Sequence, residues 1–156
     1  MLTPVFSSNR AVRQYTEEYY IPAAKSHLAR TSDDCKAARG VVAWRDLLDR
    51  KWANLRFGDV KVEEREGAYR FVIHVYLDGL DPDAVCVQLY AEGADGNGPF
   101  RGEMVRGQPL VGAINGYVYA LDVPATRPAG EYTPRIVPSH AGVSVPFEVS
   151  RILWQR

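Results

Sequence analysis

The spacing of apolar residues changes at Phe57-Gly58, and this change limits the folds that are open to the chain. Before this point apolar residues recur every third or fourth position, as on one face of a helix. After it they recur every second position, as on one face of a β-strand. The pattern predicts a helical segment over residues 1–57, followed by a β-rich domain over residues 58–156.

The clearest helical stripe lies just before this boundary and carries two tryptophans, Trp44 and Trp52. Its members are Val41, Trp44, Leu48, Trp52 and Leu55. The tryptophans permit two interpretations. They could form a platform on which sugars stack, or a buried face that packs on the β domain or on a missing partner domain. Packing is favoured, because large aromatic side chains dominate cores and interfaces.

Alternation after Gly58 predicts about seven short strands. In the clearest of them, one face carries Tyr69, Phe71, Ile73, Val75 and Leu77. Val85, Val87 and Leu89 form another inward face, and shorter strands are predicted near residues 102–105, 116–123, 132–137 and 145–153. This number of strands, with turn signals between them, is typical of an Ig-like or fibronectin-like antiparallel β-sandwich. The stretch Ala129–Tyr132 predicts a tyrosine corner, in which the Tyr hydroxyl bonds back to the backbone.

Composition and charge indicate which partners to exclude. The formal net charge is zero, without the basic patch on the folded domain that a nucleic-acid binder usually carries. No apolar run approaches the ~20 residues that cross a bilayer, so no membrane partner is predicted. The N-terminus lacks the pattern of a signal peptide, and Cys35 and Cys86 lie far apart in the sequence, so we expect a cytoplasmic protein.

No catalytic, cofactor-binding or metal-binding residue is predicted in this chain. His27, His74 and His140 show no metal-ligand spacing, and the sequence contains no nucleophile elbow, phosphate-binding loop or dinucleotide fingerprint. Glu63, Glu64 and Glu66 are acidic neighbours, and paired carboxylates can hydrolyse glycosides when they face each other in a cleft, but these sit at a strand end and are expected to be solvated.

Two further tyrosines, Tyr117 and Tyr119, share one face of a predicted strand. Aromatic rings in this position can stack on sugar rings, or they can pack against a neighbouring strand. Packing is favoured, but the sugar contact keeps a glucan-binding function open.

Three stretches of the chain resemble the C-terminal end of bacterial α-glucan (glycogen) phosphorylases. The first runs from Phe6 to Val12 and continues with Tyr15 and Glu18, although Asn9 stands where the family usually has Asp. The second is Tyr19–Ala24. The third comprises residues 132–138 and 152–154. The resemblance covers essentially the whole chain, but only the end of the parent enzyme.

This resemblance implies a parent enzyme that phosphorolyses α-1,4-glucan to glucose 1-phosphate with pyridoxal phosphate, whose lysine lies upstream of every matched residue. The chain is then expected to be a non-catalytic piece that acts in packing or oligomer assembly. Tyr15, Tyr19 and Tyr20 would originally pack on the catalytic domain, and in the chain alone they predict self-association as a homodimer or a helix swap. The alternative is a glucan-binding module that anchors the enzyme on its polymer. An independent small enzyme is disfavoured.

Overall fold

The computed structural model describes residues 8–93, 98–146 and 148–156. Phe6 and Ser7, which open the first matched stretch, lie outside the described residues. The described residues divide into two compact units, the first ending at Ala43 and the second beginning at Trp44. The predicted boundary between residues 57 and 58 stays a prediction.

The N-terminal part of the chain is helical, as the sequence predicts. Helix α1 spans Ser8–Tyr15 and a π-helical turn spans Thr16–Tyr20. Helix α2 spans Ile21–Lys51 and continues directly from the π-helical turn, with Pro22 as its second residue. Non-helical backbone angles at Ser32–Cys35 interrupt α2, because three successive residues there have positive φ.

The rest of the chain forms β-strands in two antiparallel sheets. Within the described residues there are eight strands: β1 (Arg56–Arg65), β2 (Ala68–Tyr76), β3 (Val85–Ala91), β4 (Phe100–Glu103), β5 (Val105–Pro109), β6 (Gly116–Pro124), β7 (Thr133–Pro138) and β8 (Leu153–Trp154). The first sheet has the order β1-β2-β6-β5 and the second has the order β4-β3-β7-β8. The predicted class, mainly β and sandwich-like with preceding helices, is confirmed.

Both sheets contribute their inward side chains to one core. The alternation predicted for β2 is confirmed, because Phe71, Ile73 and Val75 are almost completely buried. The alternation predicted for β3 is confirmed as well, and Val87 and Leu89 join the same buried cluster. Burying such side chains is the main favourable contribution to folding, at about 1.5–3 kcal/mol each.

The end of α2 also packs into this core. Trp44 is 8% exposed and Leu48 is 1% exposed, and both belong to the same buried cluster as the strands. The indole Nε1 of Trp44 donates a hydrogen bond to the backbone oxygen of Ala84 at 3.2 Å, and its ring lies 5.1 Å from that of His140. Of the two interpretations of this tryptophan, packing on the sandwich is what the structure shows.

Two strand predictions need correction. The single strand predicted near residues 102–105 is two strands in different sheets, β4 and β5, with only Met104 between them. Met104 is buried, and its backbone nitrogen donates to the oxygen of Val87 at 2.9 Å, which fixes the crossing from one sheet to the other.

The long strand predicted over residues 145–153 is reduced to the two residues of β8. The chain before it turns instead, because the backbone nitrogen of Ser144 donates to the Glu148 carboxylate at 3.0 Å. Pro146, which lacks a backbone N–H, also disfavours a paired strand here. The predicted tyrosine corner is present, since the Tyr132 hydroxyl donates to the oxygen of Pro124 at 3.5 Å.

A carboxylate after β2 gives the fold a measurable pH dependence. Asp78 lies in a turn with φ of +49°, and its Oδ2 accepts hydrogen bonds from Asn54 at 2.9 Å and Lys51 at 3.1 Å. These bonds, that of Asn54 foremost, lower the pKa of Asp78. Its stabilising contribution is therefore complete above the unfolded-state pKa of about 3.9 and is lost as the pH falls through the folded-state pKa.

The substitution Asp78→Asn removes this titration and keeps the turn, since Asn tolerates a left-handed backbone. We expect the variant to be less stable than the wild type near neutral pH and the difference to shrink below about pH 4. Urea unfolding at a series of pH values measures this difference. A difference that stays constant down to about pH 2 would contradict a stabilising role for the ionised carboxylate.

Candidate functional site

The outward face of the second sheet carries a row of polar and aromatic side chains. On β3, Gln88 points away from the core, between the buried residues Val87 and Leu89. Strand register places Glu103 of β4 opposite Gln88 on one side and Arg135 of β7 on the other, with Trp154 of β8 next to Arg135. The four residues Glu103, Gln88, Arg135 and Trp154 are here called the outer row.

Arg135 is held rigidly at the middle of the outer row. Its Nε and Nη2 donate to the Gln88 Oε1 at 3.0 and 2.8 Å. Its guanidinium carbon lies 4.6 Å from the ring centre of Tyr90 and 5.3 Å from that of Trp154, so the cation contacts two aromatic rings. The two rings meet edge to face, with centroids 5.2 Å apart. Arg135 is only 8% exposed, so its side chain is already ordered before any ligand arrives.

A groove of about 520 Å³ lies beside the outer row. Its walls include Gln88, Arg101, Glu103 and Arg135, together with the chain that follows β7. Arginine supplies only hydrogen-bond donors and an ionised Glu supplies only acceptors, so the groove offers both kinds of group.

Burial shapes the electrostatics of this groove. Burial, and next the positive charge of Arg101, lower the pKa of Arg135. Burial, and next the carboxylate of Glu103, raise the pKa of the Cys86 thiol to about 11. Cys86 therefore stays protonated near neutral pH and is a poor nucleophile. The groove is suited to binding by hydrogen bonds, and the rings of Tyr90 and Trp154 lie next to it against Arg135.

The structure places Tyr117 and Tyr119 on the inward face of β6. They pair in register with Val75 and Ile73 of β2. Tyr119 is 4% exposed, and burial is the main cause that raises its pKa to about 12. Tyr117 is half-buried, with the guanidinium of Arg106 5.8 Å from its ring centre. A sugar can reach no more than part of this pair.

The residues predicted for docking fall into two groups. Tyr15, Tyr19 and Tyr20 are 60%, 59% and 69% exposed, and the rings of Tyr15 and Tyr19 lie 5.7 Å apart. These three side chains are here called the tyrosine patch. Trp44, by contrast, lies in the core, and Trp52 is half-buried against it.

The described residues contain no group of three or more His, Cys, Asp or Glu side chains placed to hold a metal ion. Across residues 8–93, 98–146 and 148–156, no helix combines the length and apolarity that crossing a bilayer requires.

The outer row is a site that sequence reasoning missed. Trp154 and Arg135 both lie in one of the stretches that carry the family resemblance, yet nothing in their spacing indicates that they meet Gln88 and Tyr90. One signal is readable in the sequence: Gln88 and Tyr90 alternate with buried residues on β3, and this pattern marks an outward face.

The fold and the groove together define a β-sandwich domain that follows a helical segment and carries a polar groove on its second sheet. The chain belongs to the glycogen phosphorylase C-terminal domain family, whose model matches residues 52–156. This match confirms the resemblance to the C-terminal region of bacterial phosphorylases.

Two relatives extend the similarity to nearly the whole chain. The chain is 26% identical over 162 residues to maltodextrin phosphorylase of Thermococcus litoralis, an alignment that covers 99% of this chain and 19% of that protein. It is 26% identical over 161 residues to glycogen phosphorylase of Mycobacterium tuberculosis, covering 97% of this chain and 18% of the relative. The chain thus spans about a fifth of the length of these relatives.

Proposed function

We propose that this chain is the non-catalytic C-terminal portion of an α-glucan phosphorylase and that it acts in packing or oligomer assembly. The family match and the two named relatives support the phosphorylase assignment. The parent enzyme would phosphorolyse α-1,4-glucan to glucose 1-phosphate. Its partners would be the catalytic domain or a second copy of the chain.

The cofactor of the proposed parent enzyme does not fit the residues of this chain. Pyridoxal phosphate is held as a Schiff base on a lysine within a binding site. The lysines here are Lys25, Lys36, Lys51 and Lys61; three are exposed, and Lys51 is paired with Asp78. We therefore assign the cofactor to the catalytic domain of the parent and no catalytic step to this chain.

The tyrosine patch is the observation that carries the assembly role. Large aromatic side chains are enriched where proteins bind one another, and here three of them lie close together in sequence with more than half of each side chain exposed. In the whole enzyme we expect the patch to contact the catalytic domain. In the chain alone we expect it to contact a second copy.

The triple variant Tyr15→Ser, Tyr19→Ser, Tyr20→Ser tests this role. We expect the wild-type chain to form dimers as its concentration rises. We expect the triple variant to raise the dissociation constant at least about tenfold, because aromatic residues are frequent hot spots of interfaces. Light scattering across a concentration series measures the molar mass.

A second triple variant serves as a matched control, with three exposed apolar residues of the second unit replaced by serine: Val105, Val111 and Ile114. It should dimerise like the wild type. A wild-type chain that stays monomeric at the highest concentration would rule out self-association. Equal effects of the two triple variants would mean that the tyrosine patch is not the contact.

A second function, glucan binding, is supported by the groove beside the outer row. The groove has a volume of about 520 Å³, within the range of small-ligand sites, and Arg101, Glu103 and Arg135 converge on it. The names of the relatives, maltodextrin phosphorylase and glycogen phosphorylase, indicate which ligand to test first. In this role the domain would anchor the enzyme on its polymer. The contact predicted for Tyr117 and Tyr119 remains part of this alternative.

A further inference from the structure

We propose that the outer row, with Tyr90 and Arg101, is the surface that binds an α-glucan segment. Trp154 would serve as the stacking platform, and Glu103 and Arg101 would bind the sugar hydroxyls. This inference rests on the second proposed function. It assigns glucan contact to the outward face of the second sheet, at residues other than Tyr117 and Tyr119.

The aromatic rings of Tyr90 and Trp154 are held in fixed positions beside Arg135. A pyranose ring has an apolar C–H face that packs on the negative face of an aromatic ring. Trp154 is 37% exposed although it belongs to a strand, while Tyr90 and Arg135 contact it and fix its orientation. A fixed, partly exposed ring binds a sugar without the cost of ordering its side chain.

Side chains of both charges line the groove beside these rings. Each sugar hydroxyl can donate one hydrogen bond and accept others, so a sugar uses donors and acceptors in one site. Arg101 and Arg135 supply donors and Glu103 supplies an acceptor, and all three line the same groove. The Gln88 Oε1 accepts two bonds from Arg135, so Gln88 acts to hold Arg135 in place rather than to bind the ligand itself.

The presence of Glu103 beside Arg101 and Arg135 in one groove argues against an anionic ligand. A phosphate or carboxylate would gain from the two arginines but would be repelled by Glu103 on the same wall. A neutral polyhydroxylated chain gains from all of these groups.

The experiment is calorimetric titration of the full chain with maltoheptaose, and separately with inorganic phosphate. We expect maltoheptaose to bind in the millimolar range, because the contact is one stacked ring and a few hydrogen bonds. Trp154→Ala should weaken binding at least about tenfold, as truncation of a central aromatic anchor does at other interfaces. Trp154→Phe should restore part of the affinity, since it keeps a stacking ring.

Glu103→Gln provides a second test that does not disturb the strand, since Glu103 is exposed and the two side chains have the same shape. It should weaken maltoheptaose binding several-fold. Tyr76→Ala is the matched control, because Tyr76 lies in the first sheet with the Arg56 guanidinium 4.3 Å from its ring centre. This pair resembles that of Tyr90 and Arg135, and its loss should leave binding unchanged.

The results of these titrations distinguish failure of the proposed site from failure of the glucan-binding function. Maltoheptaose binding that survives Trp154→Ala and Glu103→Gln, and is lost in Tyr117→Ala, would overturn the site and keep the glucan-binding function. A wild-type chain that binds no maltoheptaose would overturn both and leave the assembly role standing. Binding of phosphate without maltoheptaose would show an anion site and overturn the proposal.

Discussion

Phe71→Ala is expected to lower the free energy of unfolding by about 3–5 kcal/mol, the range measured for large-to-small changes of buried aromatic residues. Phe71 is 2% exposed, and its ring meets that of Tyr132 nearly edge to face, with centroids 5.5 Å apart. Tyr132 in turn meets Phe100 of β4 at 5.6 Å. Phe71 thus connects the first sheet to the second, and its removal leaves a cavity between them.

Urea unfolding followed by circular dichroism measures this loss. Val62→Ala is the matched control, because Val62 lies opposite Phe71 in the strand register but is 44% exposed. The control should change the free energy of unfolding by about 0.5 kcal/mol or less. If Phe71→Ala cost no more than the control, the packing of the two sheets would not depend on this ring.

Trp44→Ala is expected to have an effect of similar size, about 3–5 kcal/mol. Trp44 is 8% exposed, belongs to the same core as the strands, and donates its indole hydrogen to the oxygen of Ala84. Trp44→Phe keeps an aromatic ring but removes this hydrogen bond. It should cost about 0.5–1.5 kcal/mol for the lost hydrogen bond, because the Ala84 oxygen still accepts from the Ser139 backbone nitrogen at 3.0 Å.

Val42→Ala is the control for this series, since Val42 lies two residues earlier in α2 and is 59% exposed. The result also tests where the β domain begins. A large loss for Trp44→Ala would show that residues before 58 are needed for the stability of the sandwich. Equal small losses for both variants would support residues 58–156 as the folding unit.

Phe71 and Trp44 belong to the buried core of the fold that carries the groove. The outer row lies on the outward face of β3, β4, β7 and β8, and the inward faces of β3 and β7 form part of the core. A variant that loosens the core would therefore weaken ligand binding by an indirect route. The substitution Glu103→Gln lies at an exposed position and avoids this effect, which is why it decides the glucan question more directly.

The site was much less predictable from the sequence than the fold. The sequence singled out Tyr117 and Tyr119 because both are aromatic and share a strand face, and the structure turns that face toward β2 and the core. Alternation shows which residues share a face, but it does not show which face is covered by a second sheet. The tyrosine patch was recognisable because its residues are close in sequence.

The sequence by itself determined the helical start, the inward faces of β2 and β3, and the family. These features depend on residues a few positions apart, whose side-chain directions follow from the period of a helix or a strand. Only the tertiary structure decided that the chain crosses between sheets at Met104 and that Arg135 meets Gln88, 47 residues earlier in the chain. Such contacts depend on which strands pair and in what register, and that choice is made by the packing of the whole core rather than by any local pattern.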